Sequence, residues 1–345
     1  MLDDLKYIHQ RDGQDALGIA ERQAGQLEYK YDTSSFSIPH SAFSNIVYAG
    51  MGGSALPAIL SRSWPGYKIP FEVSRQYHIP AYVSEKTLFI ASSYSGNTEE
   101  TLSALAEAEE RGATIAVMAA GGQLEQIAGQ KGYPFLKIPK AEQPRYAVFY
   151  MLSALLTILE SAGLLNEADT AAQLAEASGF LKEAVKAWSA IVPTAQNPAK
   201  KLAVEVAGKS AVVYAGPLFA PVAYKWKISF NENAKNIAWW GEYPEFNHNE
   251  FIGWSSHPIQ KPYSVIDLRS DLEHPRVQKR FELSDKLLSG KRPAAHVVRA
   301  EGKSLLEQLV WTITYGDFVT IYLALCNGVN PAPVDLVEKF KKELS

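Results

Sequence analysis

The sequence predicts an α/β protein: two doubly wound parallel-sheet subdomains joined by a helical connector, with further helices at both ends. Three observations carry that prediction. Short, unbroken apolar runs recur at 46–50, 88–92, 114–118 and 135–138, as in strands buried on both faces. Helical patterns fill the intervals, and such alternation implies a parallel sheet. After a strand-free stretch, Ala211-Val212-Val213-Tyr214-Ala215-Gly216 repeats the apolar-then-glycine form of Ile46-Val47-Tyr48-Ala49-Gly50.

In order, residues 1–40 read as an N-terminal helix, through about residue 27, and a polar connector. Residues 41–144 form the first subdomain, with helical patterns at 55–63, 98–111 and 124–131 between its apolar runs. Residues 145–207, rich in Ala, Leu and Glu, contain no convincing strand and read as the helical connector. Residues 208–330 form the second subdomain, with strands at 211–216, 263–268 and 295–300 and helices at 275–288 and 304–327. Residues 331–345 read as a C-terminal helix, patterned from 333 to 344.

A chain of 345 residues is long for one core and suits about two domains. Its 47% apolar and 21% charged content is ordinary globular composition. A net charge of −3 with dispersed Lys and Arg excludes a nucleic-acid footprint, so anion recognition falls to loops and single side chains. The one cysteine, Cys326, lies in an apolar helical pattern; there is no disulfide framework, and a cytoplasmic setting fits. Met1-Leu2-Asp3-Asp4 opens no signal peptide, and without an 18-residue apolar run no membrane span is expected.

Two Gly/Ser motifs sit where strands give way to helices: Gly50-Met51-Gly52-Gly53-Ser54, and Ser92-Ser93-Tyr94-Ser95-Gly96-Asn97-Thr98. At the carboxyl end of a parallel strand, backbone N–H groups and the next helix's N-terminus form an anion site. Ser95 or Thr98 also suits a helix cap, but three hydroxyls at Ser93, Ser95 and Thr98 exceed what one cap requires. No nucleotide P-loop is present; Glu301-Gly302-Lys303-Ser304 lacks its first glycine and reads as a helix start capped by Ser304. Gly50, Gly52 and Ala55, with Glu72 about twenty residues on, fit a looser dinucleotide pattern, which spacing alone does not exclude. That pattern leaves the hydroxyl-rich loop without a role, and a monophosphate is the better ligand.

The densest polar segment is Asn231-Glu232-Asn233-Ala234-Lys235 together with Pro244-Glu245-Phe246-Asn247-His248-Asn249-Glu250. Carboxylates, an imidazole and amides are interleaved there with Trp239, Trp240, Phe246, Phe251 and Trp254. Polar groups among aromatics are costly unless paired or used. Glu232 and His248 are suited to moving protons. Ile228, Phe230 and the tryptophans are expected to desolvate Glu232, Asn231 and Asn233 to orient it, and Glu245 and Glu250 to hold His248 or the loop.

Gly52-Gly53-Ser54, Ser93-Tyr94-Ser95-Gly96-Asn97-Thr98-Glu99-Glu100, Gln143-Pro144-Arg145 and the 231–250 stretch together resemble the bifunctional phosphoglucose/phosphomannose isomerases, a branch of the sugar-isomerase (SIS) domain superfamily. The resemblance runs from about residue 46 to the C-terminus and includes Gly316-Asp317 and Asn330-Pro331. It implies two SIS-type subdomains and a metal-independent aldose–ketose isomerase, without cofactor, that interconverts glucose 6-phosphate with fructose 6-phosphate through a cis-enediolate. By the same resemblance Glu232 carries the proton, His248 opens the ring from the neighbouring subunit of a homodimer, and Arg145 stabilises the enediolate. Gly53, Ser54, Ser93, Ser95 and Thr98 match the phosphate and substrate contacts.

A family lysine near the C-terminus corresponds to Lys341, with Lys339 and Lys342 as competitors. Family members carry a hydroxyl just before that helix to tolerate both C2 epimers; Ala332-Pro333-Val334 has none, which leaves mannose 6-phosphate open. Apart from His248 and His257 the histidines are scattered and show no metal-ligand spacing, and His9, His40, His78, His274 and His296 read as surface or core residues. The alternatives are a non-catalytic sugar-phosphate regulator, for which Glu232 and His248 would be superfluous, and an isomerase of another sugar phosphate. The isomerase half of a glucosamine-phosphate synthase would bring an N-terminal cysteine nucleophile, which this sequence lacks.

Overall fold

In a computed structural model of the chain, residues 1–34, 36–39, 42–256 and 262–344 are described. Met1–Arg22 with Phe180–Ser345 form one compact unit and Gln23–Gly179 the other, so the expected connector at 145–207 divides at Gly179.

The chain opens with helices α1 (Leu5–Arg11) and α2 (Ala16–Arg22), followed by a 3-10 turn at Gln23–Glu28, rather than the single helix expected. Asp12 causes the break: its carboxylate accepts N–H bonds from Ala16 (2.7 Å) and Leu17 (2.9 Å), which start a new helix.

In the Gln23–Gly179 unit, strands β1 (Asn45–Ala49), β2 (Phe71–Ser74), β3 (Thr87–Ser92), β4 (Thr114–Ala119) and β5 (Phe135–Lys137) form a fully parallel sheet, ordered β2-β1-β3-β4-β5. The helices are α3 (Leu56–Ser61), α4 (Glu99–Glu110), α5 (Gly122–Lys131), α6 (Val148–Ser161) and α7 (Glu167–Ala184), the last crossing the division between the units. Side chains alternate across the sheet with period two. Ile46, Tyr48, Leu88, Ile90 and Met118 pack with Met151, Leu155 and Ile158 of α6. Val47, Phe89, Ala91 and Val117 pack with Ala104 and Leu105 of α4 and Leu124 of α5. A sheet covered on both faces is what unbroken apolar strands require.

In the other unit, α8 (Pro198–Val206), β6 (Ser210–Ala215), α9 (Ala220–Glu232), β7 (Ala238–Glu242), α10 (Glu250–Gly253), β8 (Tyr263–Arg269), α11 (Pro275–Leu287), β9 (His296–Arg299), α12 (Leu305–Cys326) and α13 (Asp335–Leu344) follow. Its four strands are parallel, ordered β7-β6-β8-β9. The sequence reading missed α9 and the edge strands β2 and β7. Helix α12 starts at Ser304, whose hydroxyl and Glu307 make a reciprocal cap, as the sequence suggested. Although α12 is long and apolar enough to cross a membrane, almost all of it is covered by the protein, chiefly by α2, α8 and α9. Helix α13 has no buried residue; Leu336 and Phe340 are 82% and 67% exposed.

Candidate active site

The phosphate-loop residues converge within the Gln23–Gly179 unit. Both loops leave the carboxyl ends of adjacent strands, β1 and β3, where the direction of strand addition reverses and open α/β sheets bind ligands. Ser93 Oγ lies 2.7 Å from Thr98 Oγ1 and 3.4 Å from Ser95 Oγ, and Ser54 Oγ accepts the Tyr94 N–H at 2.9 Å. Thr98 stands at the N-cap of α4, yet its hydroxyl makes no cap bond there. The hydroxyls therefore face one another, an arrangement fit for an anion's oxygens. Gly96 has φ +72°, and a Cβ there would lie 1.7 Å from the Gly121 carbonyl oxygen, so only glycine closes this loop.

Arg145 joins the same cluster. It sits in the 3-10 turn Pro144–Tyr146, 1% exposed, with its guanidinium 4.6 Å from the centre of the Tyr146 ring. A Cβ on Gly53 would come within 3.1 Å of the Arg145 nitrogen, so this glycine lets the 144–145 backbone pack on the phosphate loop. Gly53, Ser54, Ser93, Ser95, Thr98 and Arg145 are thus gathered at one end of one sheet.

Glu232 lies in the other unit and is the last residue of α9. Several polar contacts hold α9 to α12. The buried Lys225 ammonium pairs with Asp317 and lies 2.7 Å from Ser229 Oγ, which donates to Asp317 at 2.9 Å. Asn233 Nδ2 donates to Thr320 Oγ1 at 2.9 Å, and Asn231 Oδ1 accepts the Ala238 N–H at 3.1 Å. These amides bind the polypeptide around Glu232, a task the sequence reading had not given them. Lys235, to which the sequence assigned no role, donates to the carbonyls of Glu232 (3.0 Å), Asn233 (3.3 Å), Asn330 (2.7 Å) and Pro331 (3.1 Å). A cation on the last carbonyls of a helix complements its dipole.

His248 closes a 3-10 turn (Glu245–His248), exposed and with no hydrogen-bond partner among the described residues. The carboxylates expected to hold it are engaged elsewhere. Glu250 accepts the Tyr214 hydroxyl, and Glu245 accepts Asn249 Nδ2 at 2.6 Å. Burial first, then the Glu250 charge, pushes the Tyr214 hydroxyl far up. The aromatics also divide differently from expectation. Phe246 and Trp254 are buried with Val212, Tyr214 and Val265, whereas Trp239 is 49% exposed on the sheet edge and packs edge-on against Tyr263. Ile228 and Phe230 are buried.

Lys341 is exposed on α13 and pairs with Glu338 at 2.8 Å. The 332–334 segment bears no hydroxyl; Ala332 is buried, its N–H bonded to Asn330 Oδ1 at 3.1 Å. Among the described residues no three His, Cys, Asp or Glu side chains cluster as metal ligands. His78 pairs with Glu107, His296 with Glu205 at 3.0 Å, and His274 caps α11, while His9 is exposed. His40 and His257 lie outside the described residues.

Glu273 was missed by the sequence reading. It is 4% exposed, and its carboxylate accepts the N–H groups of Leu218 (2.9 Å) and Phe219 (3.3 Å) just before α9. Burial raises its pKa to about 7 against those two bonds, with a small contribution from the Glu242 charge.

Residues 195–344 match the family model of the bacterial phospho-glucose isomerase C-terminal SIS domain. A bifunctional phosphoglucose/phosphomannose isomerase of Caldicellulosiruptor bescii is 33% identical over 327 residues, covering 93% of this chain and 96% of the relative. A D-glucosamine-6-phosphate 4-epimerase of Sulfolobus acidocaldarius is 32% identical over 248 residues, covering 70% and 76%. Among solved structures, a glucose-6-phosphate-isomerase-like protein from Thermus thermophilus shares the fold with a TM-score of 0.63 at 18% identity, covering 99% and 98%.

Proposed function

The chain belongs to the bifunctional phosphoglucose/phosphomannose isomerase family, and from that premise we propose that it interconverts glucose 6-phosphate and mannose 6-phosphate with fructose 6-phosphate. The observation that supports this most is the cluster of Ser54, Ser93, Ser95, Thr98 and Arg145 at the carboxyl ends of β1 and β3. Facing hydroxyls suit a single phosphate group, and a fixed guanidinium suits an enediolate as its charge develops. In this reading Glu232 takes the proton from C2 and returns it to C1, and the hydroxyl loops hold the phosphate. Substrate and product are isomers that differ in the places of one carbon-bound hydrogen, one hydroxyl hydrogen and the carbonyl, so no external oxidant or reductant is needed.

His248 serves ring opening in the site of a second copy. Its exposure, and its lack of a partner among the described residues, support that role. The exposed Ile237, Trp239 and Trp240 support a homodimer formed on this side of the sheet. Lys341 assists ring opening, and the enzyme works in the cytoplasm in the exchange of hexose phosphates.

A coupled assay tests this reading. Fructose 6-phosphate should form from both glucose 6-phosphate and mannose 6-phosphate, with and without chelator; no product from either would overturn it. A second reading, 4-epimerisation of an amino-sugar phosphate, draws on the epimerase relative and would appear as turnover of glucosamine 6-phosphate alone.

A further inference from the structure

We propose that Glu273 is a built-in anion: its carboxylate fills, in the second sheet, the place given to the substrate's phosphate in the first, and so positions the helix that carries Glu232. The role of Glu232 in this statement rests on the isomerase reading above.

The two sheets are built alike. In the first, β1 lies between β2 and β3; in the second, β6 lies between β7 and β8. The β6–β8 pair is therefore the counterpart of β1–β3, and its carboxyl ends are the counterpart of the phosphate loops. After β6 come Gly216-Pro217-Leu218-Phe219 and then α9; after β8 come Ser270-Asp271-Leu272-Glu273. Where the first sheet brings hydroxyls around an anion site, the second brings a carboxylate to the backbone N–H groups of Leu218 and Phe219. A Cβ at Gly216 would lie 2.5 Å from Glu273 Cδ and Oε1, so that glycine leaves room for the carboxylate and nothing more. Such amides at a helix start are an anion site, and here the chain occupies it.

The occupant has a mechanical consequence. Phe219 is the N-cap of α9 and Glu232 is its last residue, so Glu273 holds one end of the helix while Lys235 holds the other. A rigid helix transmits a displacement of its start to its end, and a carboxylate misplaced by an ångström loses much of its rate. Beside Glu273 opens a cavity of about 310 Å³, lined also by Arg269, Gln278 and Arg299, through which a small anion could reach the vacated position.

The experiment uses the full chain with Glu273→Ala and Glu273→Gln, above pH 7, where the Glu273 carboxyl is ionised. For Glu273→Ala, kcat should fall about tenfold or more while KM for the sugar phosphate changes less than about twofold, because the phosphate loops are untouched. Added acetate should restore kcat of this variant in a saturable way and leave the wild type unaffected. Acetate should also raise the variant's Tm and not the wild type's, a readout independent of turnover. If Glu273→Ala does not accumulate, Glu273→Gln, whose amide oxygen still accepts the Leu218 and Phe219 N–H bonds but carries no charge, should show a smaller kcat loss at steady KM. An unchanged kcat in both variants, or a fall in Glu273→Ala with no acetate effect on kcat or Tm, would overturn the proposal. A wild type without isomerase activity would instead refute the functional reading, and the acetate-dependent Tm would still decide the anion site.

Discussion

Lys235 Nζ lies 2.7 Å from the carbonyl oxygen of Asn330, and the same ammonium reaches the carbonyl of Glu232, so one cation joins the end of α9 to the turn before α13. Lys235 itself adopts φ +51°, a left-handed conformation uncommon for a side chain of its size. The polypeptide accepts this so that the ammonium can meet four carbonyls. Lys235→Met, which keeps length and removes charge, should destabilise the fold by about 1–2 kcal/mol. Urea unfolding measures that loss, and kcat should fall with it, since the carbonyl of Glu232 is one of the groups released.

The buried Lys225–Asp317 pair sets how α9 lies on α12. Removing one partner strands the other's charge, so Asp317→Ala should cost about 3–5 kcal/mol. Replacing both, as Lys225→Met with Asp317→Leu, should recover most of that loss. A double variant no more stable than Asp317→Ala would show that the pair contributes more than the relief of a buried charge.

In the first sheet, Ser93→Ala and Thr98→Val remove hydroxyls that face each other at 2.7 Å. Each should weaken phosphate binding by about 1–3 kcal/mol, raising KM roughly 5- to 150-fold with a smaller effect on kcat. Inorganic phosphate should inhibit the wild type competitively and each variant less. Steady-state kinetics with phosphate as inhibitor checks both expectations.

Glu273 makes stability depend on pH. Its folded pKa, about 7, lies above the ordinary 4.5, because burial outweighs the two N–H bonds. The folded state thus holds a proton that the unfolded state has released, and stability falls as pH rises from about 4.5 to 7, by about 3 kcal/mol in all. Glu242 on β7 adds to the rise; Arg269, Asp271, Glu282 and Arg299 line the adjoining cavity and His274 follows in sequence. Above pH 7 Glu273→Gln should therefore be more stable than the wild type although slower, and below about pH 4.5 the difference should close. Thermal unfolding across pH 4–8 measures this.

The central strands were legible because burial on both faces leaves an unbroken apolar run, as in β1, β3 and β6. Of the edge strands, β5 and β9 were read but β2 and β7 were not: these two are only partly covered, and Trp239 and Trp240 in β7 look like site aromatics when read without their neighbours. Helix α9 was not legible because its end runs into the polar segment 231–235, although Pro221 next to its start is a helix-start signal. Glu232 and the hydroxyl loops stand out by motif. The parts played by Lys235 and Glu273 depend on partners 95 and 55 residues away, a separation that no local pattern encodes. The pairing of Glu250 with Tyr214 rather than His248 is of the same kind.

The most direct measurement compares the wild type with Glu232→Gln, an isosteric change that keeps the end of α9 and removes the base. Conversion of glucose 6-phosphate to fructose 6-phosphate should fall about 10²–10⁴-fold or more, while the dissociation constant of the sugar phosphate stays within about threefold. Turnover by Glu232→Gln near the wild-type rate would contradict the assignment of Glu232 as the proton carrier and, with it, the account of how this chain works.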